Sequence, residues 1–302
     1  MHTKMKMKNV LSGLMIVAAV TVIFTQSCTK EDAGSISKTD LLLAQDEAYA
    51  DAVFEEVDNF VVSEINNLDA NSYSTSTLKS ASDDICYSVV VDHPDSTRFP
   101  KVVTIDFGDG CSIIFNGDTI RRKGQIIIVV TNRRYILGAQ HVVTFNNYFM
   151  NGVKIEGTRT ITNLGLNERN HPELSTSLQN GKVIFEDAAW MTREANHVRE
   201  YIRHLNPLND TIIVTGSANG INVLGEAYTR DITEPLVQVH CAGYPKRWVI
   251  AGGKVEITNS ARGNTTIDHN ASGCESNIIV NKNGVKQNYK FNYYNRNHRG
   301  GN

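Results

Sequence analysis

Three aspartates close to glycines are the first residues whose type and spacing could do chemistry. Asp106, Asp109 and Asp118 are all close to glycines, and carboxylates in such turns can bind calcium. The spacing of a twelve-residue calcium loop is missing, because Gly117 stands at the twelfth position, where that loop needs a glutamate. The sequence therefore predicts a Gly-Asp-Gly turn here, with no metal and no cofactor.

A second cluster, His197, Glu200 and His204, could bind a metal only on a helix, where all three would share one face. On a strand His197 points to the opposite side from Glu200. The apolar residues of 190–205 fit either pattern, but the segment lies between two strand-like regions. We therefore predict a strand whose polar side chains are solvated.

Catalytic motifs are scarce. Glu186 and Asp187 are adjacent and would point to opposite faces of a strand, so they make a poor acid–base pair. No nucleophile elbow, Walker A loop or His-Glu-x-x-His motif occurs. An envelope hydrolase stays an alternative that would need a cleft lined by some of five residues: Asp106, Asp109, His197, Glu200 and Asp268.

Five aromatic residues could form a sugar-stacking platform, although such residues in β domains more often belong to the core. They are Tyr135, Tyr148, Trp190, Tyr244 and Trp248.

Composition narrows the class of protein. The 302 residues carry a net charge of −2, which gives no support to a nucleic-acid binder. With 41% hydrophobic and 21% charged residues, the chain is not of the disordered kind.

The N-terminus predicts export. A basic start is followed by an apolar run over residues 10–24, which is too short to span a membrane and has the length of a signal-peptide core. Cys28 follows, and the segment resembles the lipobox of bacterial lipoproteins, although Thr25 and Gln26 depart from its usual residues. The resemblance implies a signal peptide over 1–27 and lipidation of Cys28. Ordinary secretion with an incidental cysteine is the alternative.

The residues after Cys28 predict a location. Lys30, Glu31 and Asp32 resemble the surface-export signal of Bacteroidota lipoproteins. That resemblance implies display on the outer face of the outer membrane, with a periplasm-facing position as the alternative.

The body of the chain resembles uncharacterised β-rich lipoproteins of Bacteroidota through residues 105–111 and 156–159. This family implies a fold and a location but no activity. Two triplets, 118–120 and 210–212, resemble the Bacteroidota O-glycosylation sequon, which makes Thr119 and Thr211 candidate acceptors.

Hydrophobic periodicity divides the mature chain. We expect a flexible tether over 28–39 and a linker over 69–84, where no periodicity is present. Between them, 40–68 repeats apolar residues at 3-4 spacing, which predicts an amphipathic helix, with acidic residues over much of its remaining surface. The helix either docks its apolar stripe on the next domain or serves as a stalk or partner-binding helix.

Residues 85–294 predict a β domain, followed by a polar, disordered tail over 295–302. Short runs rich in β-branched residues alternate with turn residues, and Asn-Gly, the strongest short hairpin signal, occurs five times. The pairs begin at Asn116, Asn151, Asn180, Asn219 and Asn283. We predict a mainly β fold, an antiparallel hairpin-rich twisted sheet or sandwich preceded by one helix.

Two stretches of the β domain look like a degenerate internal duplication, over 86–165 and 210–294. Each contains Thr-Ile-Asp, then a Gly-Cys, with another cysteine before them. If the halves are homologous, Cys86 pairs with Cys111 and Cys241 with Cys274, one of three connectivities for four cysteines. Free thiols are the alternative, and zinc is disfavoured because Cys-x₂-Cys is missing.

These features predict an outer-membrane protein that contacts the membrane through its lipid anchor. We expect a non-catalytic binding module for a glycan or a protein, with no nucleic-acid partner. A structural envelope component is the alternative.

Overall fold

The computed structural model describes residues 35–73, 77–78, 86–93, 97–115, 118–241, 244–270 and 277–290. The chain divides into two compact units, Met1–Ala33 and Gly34–Asn302, and every described residue belongs to the second. This unit confirms the predicted fold class, because one helix is followed by antiparallel strands that form a single sheet.

The helix, α1, spans Lys38–Ala70. The strands of the described residues are β1 (Thr77–Leu78), β2 (Ser88–Val91), β3 (Lys101–Asp106), β4 (Cys111–Phe115), β5 (Asp118–Val130), β6 (Gln140–Met150), β7 (Val153–Leu166) and β8 (Pro172–Ile184). They continue with β9 (Trp190–Ile202), β10 (Thr211–Ile221), β11 (Ala227–Cys241), β12 (Tyr244–Asn259), β13 (Gly263–Asp268), β14 (Asn277–Lys282) and β15 (Val285–Lys290).

The strands follow chain order across the sheet, except that β4 pairs only with β5, which itself pairs with β3. Because each strand runs antiparallel to the one before it, successive connections lie alternately at the two ends of the strands, and each of these ends forms one border of the sheet. We call residues 131–139, 164–171 and 203–210 the loop edge. The turns at 151–152, 185–189 and 222–226 lie at the opposite edge, which we call the turn edge.

Helix α1 begins at Ser37, whose hydroxyl accepts the backbone N–H of Asp40 as an N-cap. Its apolar residues, such as Val53, Val57 and Ile65, are fully buried in the core. The acidic residues expected to cover the rest of the helix are also buried, among them Asp46, Glu47, Asp51, Glu55 and Asp58. The helix is therefore enclosed by the sheet and is not docked by one stripe.

Contacts at its two ends fix the direction of α1. Near its start, Asp40 lies 3.7 Å from Arg262, which bonds Glu226 of the turn edge. Near its end, Asp69 bonds Arg133 of the loop edge at 3.1 Å. The helix therefore runs from the turn edge to the loop edge.

The segment 190–205 contains a strand, β9, as expected. Its burial alternates, and the residues that face α1 are Arg193, Ala195, His197, Arg199 and Tyr201. Pairing with both β8 and β10 fixes this register.

Two of the predicted Asn-Gly turns are confirmed. Asn151 and Gly152 join β6 to β7, and Asn283 and Gly284 join β14 to β15, with positive φ at all four residues. The pair 116–117 lies outside the described residues.

The turn prediction is wrong at 180–181 and 219–220, which lie inside β8 and β10. A Cβ on Gly181 would be 2.5 Å from the carbonyl oxygen of Arg193, and one on Gly220 would be 2.0 Å from that of Thr192. Glycine is needed at both positions because β8 and β10 approach the backbone of β9 closely there.

Cys86 and Cys111 form a disulfide, which confirms one predicted pair. Cys274 lies outside the described residues, so its pairing with Cys241 stays a prediction. Cys28, the export signal at 30–32 and the tail at 295–302 also lie outside them. The range predicted as a linker, 69–84, holds the end of α1 and the strand β1.

In the described part of the chain, α1 is not apolar enough along its length to cross a membrane.

Candidate functional site

Acidic side chains of α1 form a column of buried ion pairs with arginines of the sheet. Four carboxylates, three or four residues apart, share one face of the helix: Glu47, Asp51, Glu55 and Asp58. Four arginines, each at most 2% exposed, face them: Arg159 in β7, Arg193 and Arg199 in β9, and Arg230 in β11.

In this column one carboxylate binds a single arginine through both of its oxygens, and another binds two arginines. Asp58 accepts two hydrogen bonds from Arg159, at 2.9 and 2.5 Å. Asp51 bridges two strands, since one oxygen accepts from Arg193 at 2.7 Å and the other from Arg230 at 2.6 Å. Because a buried charge is costly without a partner, these pairs fix how the helix sits against β7, β9 and β11.

The charges and the burial of the column also shift the pKa values of the groups within it. Burial alone would raise the pKa of Asp51, but Arg230 and Arg193 outweigh burial and hold the pKa well below its usual range. Burial lowers the pKa of His197 well below its usual value, so the ring is neutral. Among the described residues, neither ring nitrogen of His197 has a hydrogen-bond partner, and Nδ1 lies 3.9 Å from Glu55. The expectation of a solvated His197 is wrong.

A recess with a cavity volume of about 30 Å³ lies beside the start of α1. Its apolar walls include Leu43, Met191 and Val223. Glu47 also lines it, and Oε2 of Glu47 has no hydrogen-bond partner among the described residues. A recess of this volume has room for about one or two water molecules.

The loop edge exposes apolar side chains to an unusual degree. Of the ten large apolar residues that are exposed in the described part of the chain, seven lie on this edge. They are Tyr135, Ile136, Leu137, Leu164, Leu166, Leu205 and Leu208. Leu205 is exposed over its whole side chain. Clusters of this kind on a soluble surface often mark an interaction site.

Arginines accompany these apolar residues, and each is backed by a buried carboxylate. Glu200 bonds Arg169 at 2.5 Å, and Asp210 bonds Arg203 at 3.0 Å. The Arg169 side chain is 69% exposed and that of Glu200 only 8%. Arg133 and Arg134 share Asp69 in the same way. The buried acids therefore hold arginine side chains that remain partly exposed.

Further hydrogen bonds tie the first loop to β7 and the second loop to β9. The side chain of Asn163 donates to the carbonyl oxygens of Arg134 and Ile136, and Asn167 donates to Glu200 in β9. Burial would raise the pKa of Glu200, but its bonds to His171 and Asn167 outweigh burial and lower the pKa. These hydrogen bonds therefore fix the conformation of the loop edge.

The residues named for a hydrolase are scattered. Asp106 accepts hydrogen bonds from Gly108 and Gln125, as a local turn would, and those bonds lower its pKa. Asp268 lies 3.5 Å from Lys254. None of Asp106, Asp109, His197, Glu200 or Asp268 lines the recess. In the described part of the chain, no three His, Cys, Asp or Glu residues form a metal-binding group.

The aromatic residues do not form one platform. Tyr148 is fully buried and accepts a hydrogen bond from Arg122. Trp190 is exposed on the turn edge below Lys182, whereas Tyr135 is exposed on the loop edge. Trp248 packs against His240, and the side chain of Tyr244 lies outside the described atoms.

The two candidate glycosylation residues lie on strands. Thr119 is exposed in β5, and Thr211 is half-buried at the start of β10. Asp210, which precedes Thr211, is buried and accepts a hydrogen bond from Arg203. Glycosylation of either threonine stays a prediction.

Sequence reasoning missed both the ionic column and the loop edge, although each leaves a signal. Arg193 and Arg199 occupy the inward positions of β9, where apolar residues are expected, and carboxylates recur in register along the helix. Leu205 and Leu208 stand among turn-forming residues in a polar loop.

Comparison of the chain with protein-family models, with curated proteins and with solved structures found no match.

Proposed function

We propose that this chain is a lipid-anchored protein of the outer membrane, displayed on the cell surface, that acts by binding through its loop edge. The basic and apolar N-terminus followed by Cys28, and then the charged residues 30–32, support the anchor and the surface location. The disulfide between Cys86 and Cys111 fits an oxidising compartment outside the cytoplasm.

The loop edge is the observation that carries the binding function. Three large apolar side chains are exposed on it: Tyr135, Leu137 and Leu205. Their exposure to water costs free energy, which burial of the side chains or polar residues in their place would avoid. The side chains of Arg169 and Arg203 are 69% and 61% exposed, although each is held by a buried carboxylate. Apolar side chains beside oriented arginines are typical of surfaces that bind another molecule.

Binding fits this arrangement better than catalysis. The carboxylates of α1 hold arginines of the sheet, and Glu200 and Asp210 hold arginines of the loops. These acids therefore have structural roles that account for their burial. The sequence predicts a glycan or a protein as the ligand, with a structural role in the envelope as the second candidate, and the loop edge is where we expect the contact.

Sedimentation with isolated cell envelopes tests this function. The compact unit Gly34–Asn302 is compared with the loop-edge variant Tyr135→Ser/Leu137→Ser/Leu205→Ser and with the turn-edge variant Trp190→Ser/Leu224→Ser. Trp190 and Leu224 are exposed apolar residues at the opposite edge, so they control for general stickiness.

We expect the loop-edge variant to lose about tenfold in envelope binding, and the turn-edge variant to bind like the parent. Equal binding by all three proteins would contradict a binding role for the loop edge.

A further inference from the structure

The Asn-Gly pairs of this chain carry a chemical reactivity besides their role in turns. The backbone nitrogen of a glycine that follows asparagine can attack the side-chain amide carbon, because glycine has no side chain to obstruct the approach. Asparagine is among the thermolabile residues that proteins of hyperthermophiles avoid. We infer that Asn283 is a site of spontaneous deamidation in the folded protein, whereas Asn151, in a turn of the same type, is protected.

The reaction assigned to Asn283 needs only water. A base removes the proton from the backbone nitrogen of Gly284, and that nitrogen forms a bond to Cγ of Asn283. The bond from Cγ to Nδ2 breaks, and ammonia leaves with a proton from solvent. Water then opens the five-membered imide on either side. The products are aspartate and isoaspartate, and in both of them a neutral amide has become a carboxylate.

The turn at 283–284 leaves its asparagine open to this reaction. Lys282 pairs with Val285, so the turn has two residues, with φ of 53° at Asn283 and 82° at Gly284. Both turn residues are exposed, and a Cβ on Gly284 would meet nothing within 4 Å. In the described part of the chain, no group is hydrogen-bonded to the side-chain amide of Asn283. The amide can therefore rotate toward Gly284, and water can reach both residues.

The turn at 151–152 has a similar backbone but holds its asparagine, with φ of 49° at Asn151 and 80° at Gly152. The side-chain oxygen of Asn151 accepts the backbone N–H of Arg121 at 2.8 Å, and the backbone N–H of Asn151 donates to the carbonyl oxygen of Arg121 at 2.8 Å. The carboxylate of Glu186 fills the space that a Cβ on Gly152 would take. Rotation of the amide toward Gly152 would break the first hydrogen bond, and the second holds the turn against β5.

The sheet also holds the two turns with different firmness. Ring closure requires the turn to leave its hairpin conformation, so the free energy of local opening limits the rate. Among the described strands, β15 pairs only with β14, and β14 pairs with β13 through three residues. In contrast, β6 and β7 lie inside the sheet, between β5 and β8. The hairpin at the end of the sheet therefore opens at lower cost than the hairpin between two other strands.

Two further Asn-Gly pairs lie inside strands and should also react slowly. Asn180 belongs to β8, between β7 and β9, and its backbone N–H donates to Glu194 at 2.7 Å. Asn219 belongs to β10, between β9 and β11. The backbone at these two positions can rearrange only if it separates from a neighbouring strand on each side.

Deamidation at Asn283 would alter the hairpin that contains it. In the isoaspartate product the main chain runs through the side-chain carbon, which adds one carbon atom to a two-residue turn. Because the length of the turn fixes the register of the strands that it joins, the modified turn no longer matches the pairing of β14 with β15. We expect faster amide hydrogen exchange in residues 285–290 of the modified protein.

Mass spectrometry of the folded protein tests the inference. The protein is incubated at mildly alkaline pH, and samples taken over time are digested and sequenced by tandem mass spectrometry, because deamidation adds about one mass unit to the modified asparagine. A parallel sample is incubated in guanidinium chloride, where the two Asn-Gly pairs are chemically alike. We expect Asn283 to deamidate about tenfold faster than Asn151 in the folded protein, and both to react at similar rates in guanidinium chloride.

The variant Asn283→Gly is the matched control. Glycine adopts the positive φ of this position without strain and carries no amide, so the mass gain should disappear while thermal unfolding stays like that of the parent. The inference would be overturned if Asn283 kept its mass in the folded protein but deamidated in guanidinium chloride. Equal rates at Asn283 and Asn151 in the folded protein would overturn it as well.

Discussion

Among single residues, Asp58 offers a direct test of the ionic column, because both its oxygens bind Arg159 in the core. It bonds Arg159 bidentately and lies 3.4 Å from Arg199. Asp58→Asn would remove the carboxylate that binds Arg159, whereas Arg199 would keep Glu55 at 3.1 Å. We expect the free energy of unfolding to fall by about 3–5 kcal/mol, measured by urea denaturation.

A surface pair provides the control for Asp58. Glu156 lies 2.7 Å from Lys154, and the two side chains are 39% and 30% exposed. Glu156→Gln should change the free energy of unfolding by less than about 1 kcal/mol. If Asp58→Asn costs no more than this control, the column does not hold the helix as described.

Buried histidines give the protein a pH dependence with a definite sign. Burial, then Arg134, lowers the pKa of His141 to about 4, and burial, then Arg230, lowers that of His269 to about 4. In the unfolded chain a histidine titrates near about 6.5. Between these values the unfolded chain binds protons that the folded chain does not, so stability is full above about pH 6.5 and falls as pH drops toward 4.

We expect the free energy of unfolding to fall by up to about 1.4 kcal/mol per pH unit for each such histidine. Urea denaturation at several pH values between about 7 and about 5 measures this slope. His141→Leu should make the slope shallower, since neither ring nitrogen of His141 has a hydrogen-bond partner in the described part of the chain. An unchanged slope in that variant would show that His141 does not contribute.

Among the secondary-structure elements, the periodicity of apolar residues predicted those elements that depend on the local sequence. The 3-4 spacing of apolar residues in 40–68 predicted a helix that the structure has at Lys38–Ala70. Alternation in β9 and the Asn-Gly turn at 151–152 were likewise readable. These features follow from the nearest neighbours in the chain.

What the sequence could not predict depends on contacts between distant strands. Glycine in Asn219-Gly220 serves close approach to β9, which the local sequence does not distinguish from a turn. The burial of Asp51 requires arginines that stand 142 and 179 residues later in the chain. The apolar tips become a common surface only because the meander brings three loops to one edge.

Gly220→Ala tests the close approach of strands. Its Cβ would lie 2.0 Å from the carbonyl oxygen of Thr192, so β10 must shift from β9. We expect a loss of about 1–3 kcal/mol in the free energy of unfolding. The control, Ser217→Ala, is exposed on the same strand and should stay within about 0.5 kcal/mol of the parent. Equal stability of the two variants would contradict the assigned packing.

The whole molecule has two different ends. Helix α1, with 33 residues, is about 50 Å long and begins at the turn edge. The chain therefore enters the compact unit at the end opposite the loop edge.

Labelling of intact cells tests the proposed display of the loop edge on the cell surface. Leu205→Cys places a thiol on the loop edge, and its reaction with a membrane-impermeant maleimide is compared with that of the unsubstituted protein as background. A second strain carries the same cysteine with Lys30, Glu31 and Asp32 changed to Ala. We expect labelling of Leu205→Cys in intact cells and loss of labelling in the second strain. Labelling only after the outer membrane is permeabilised would contradict it.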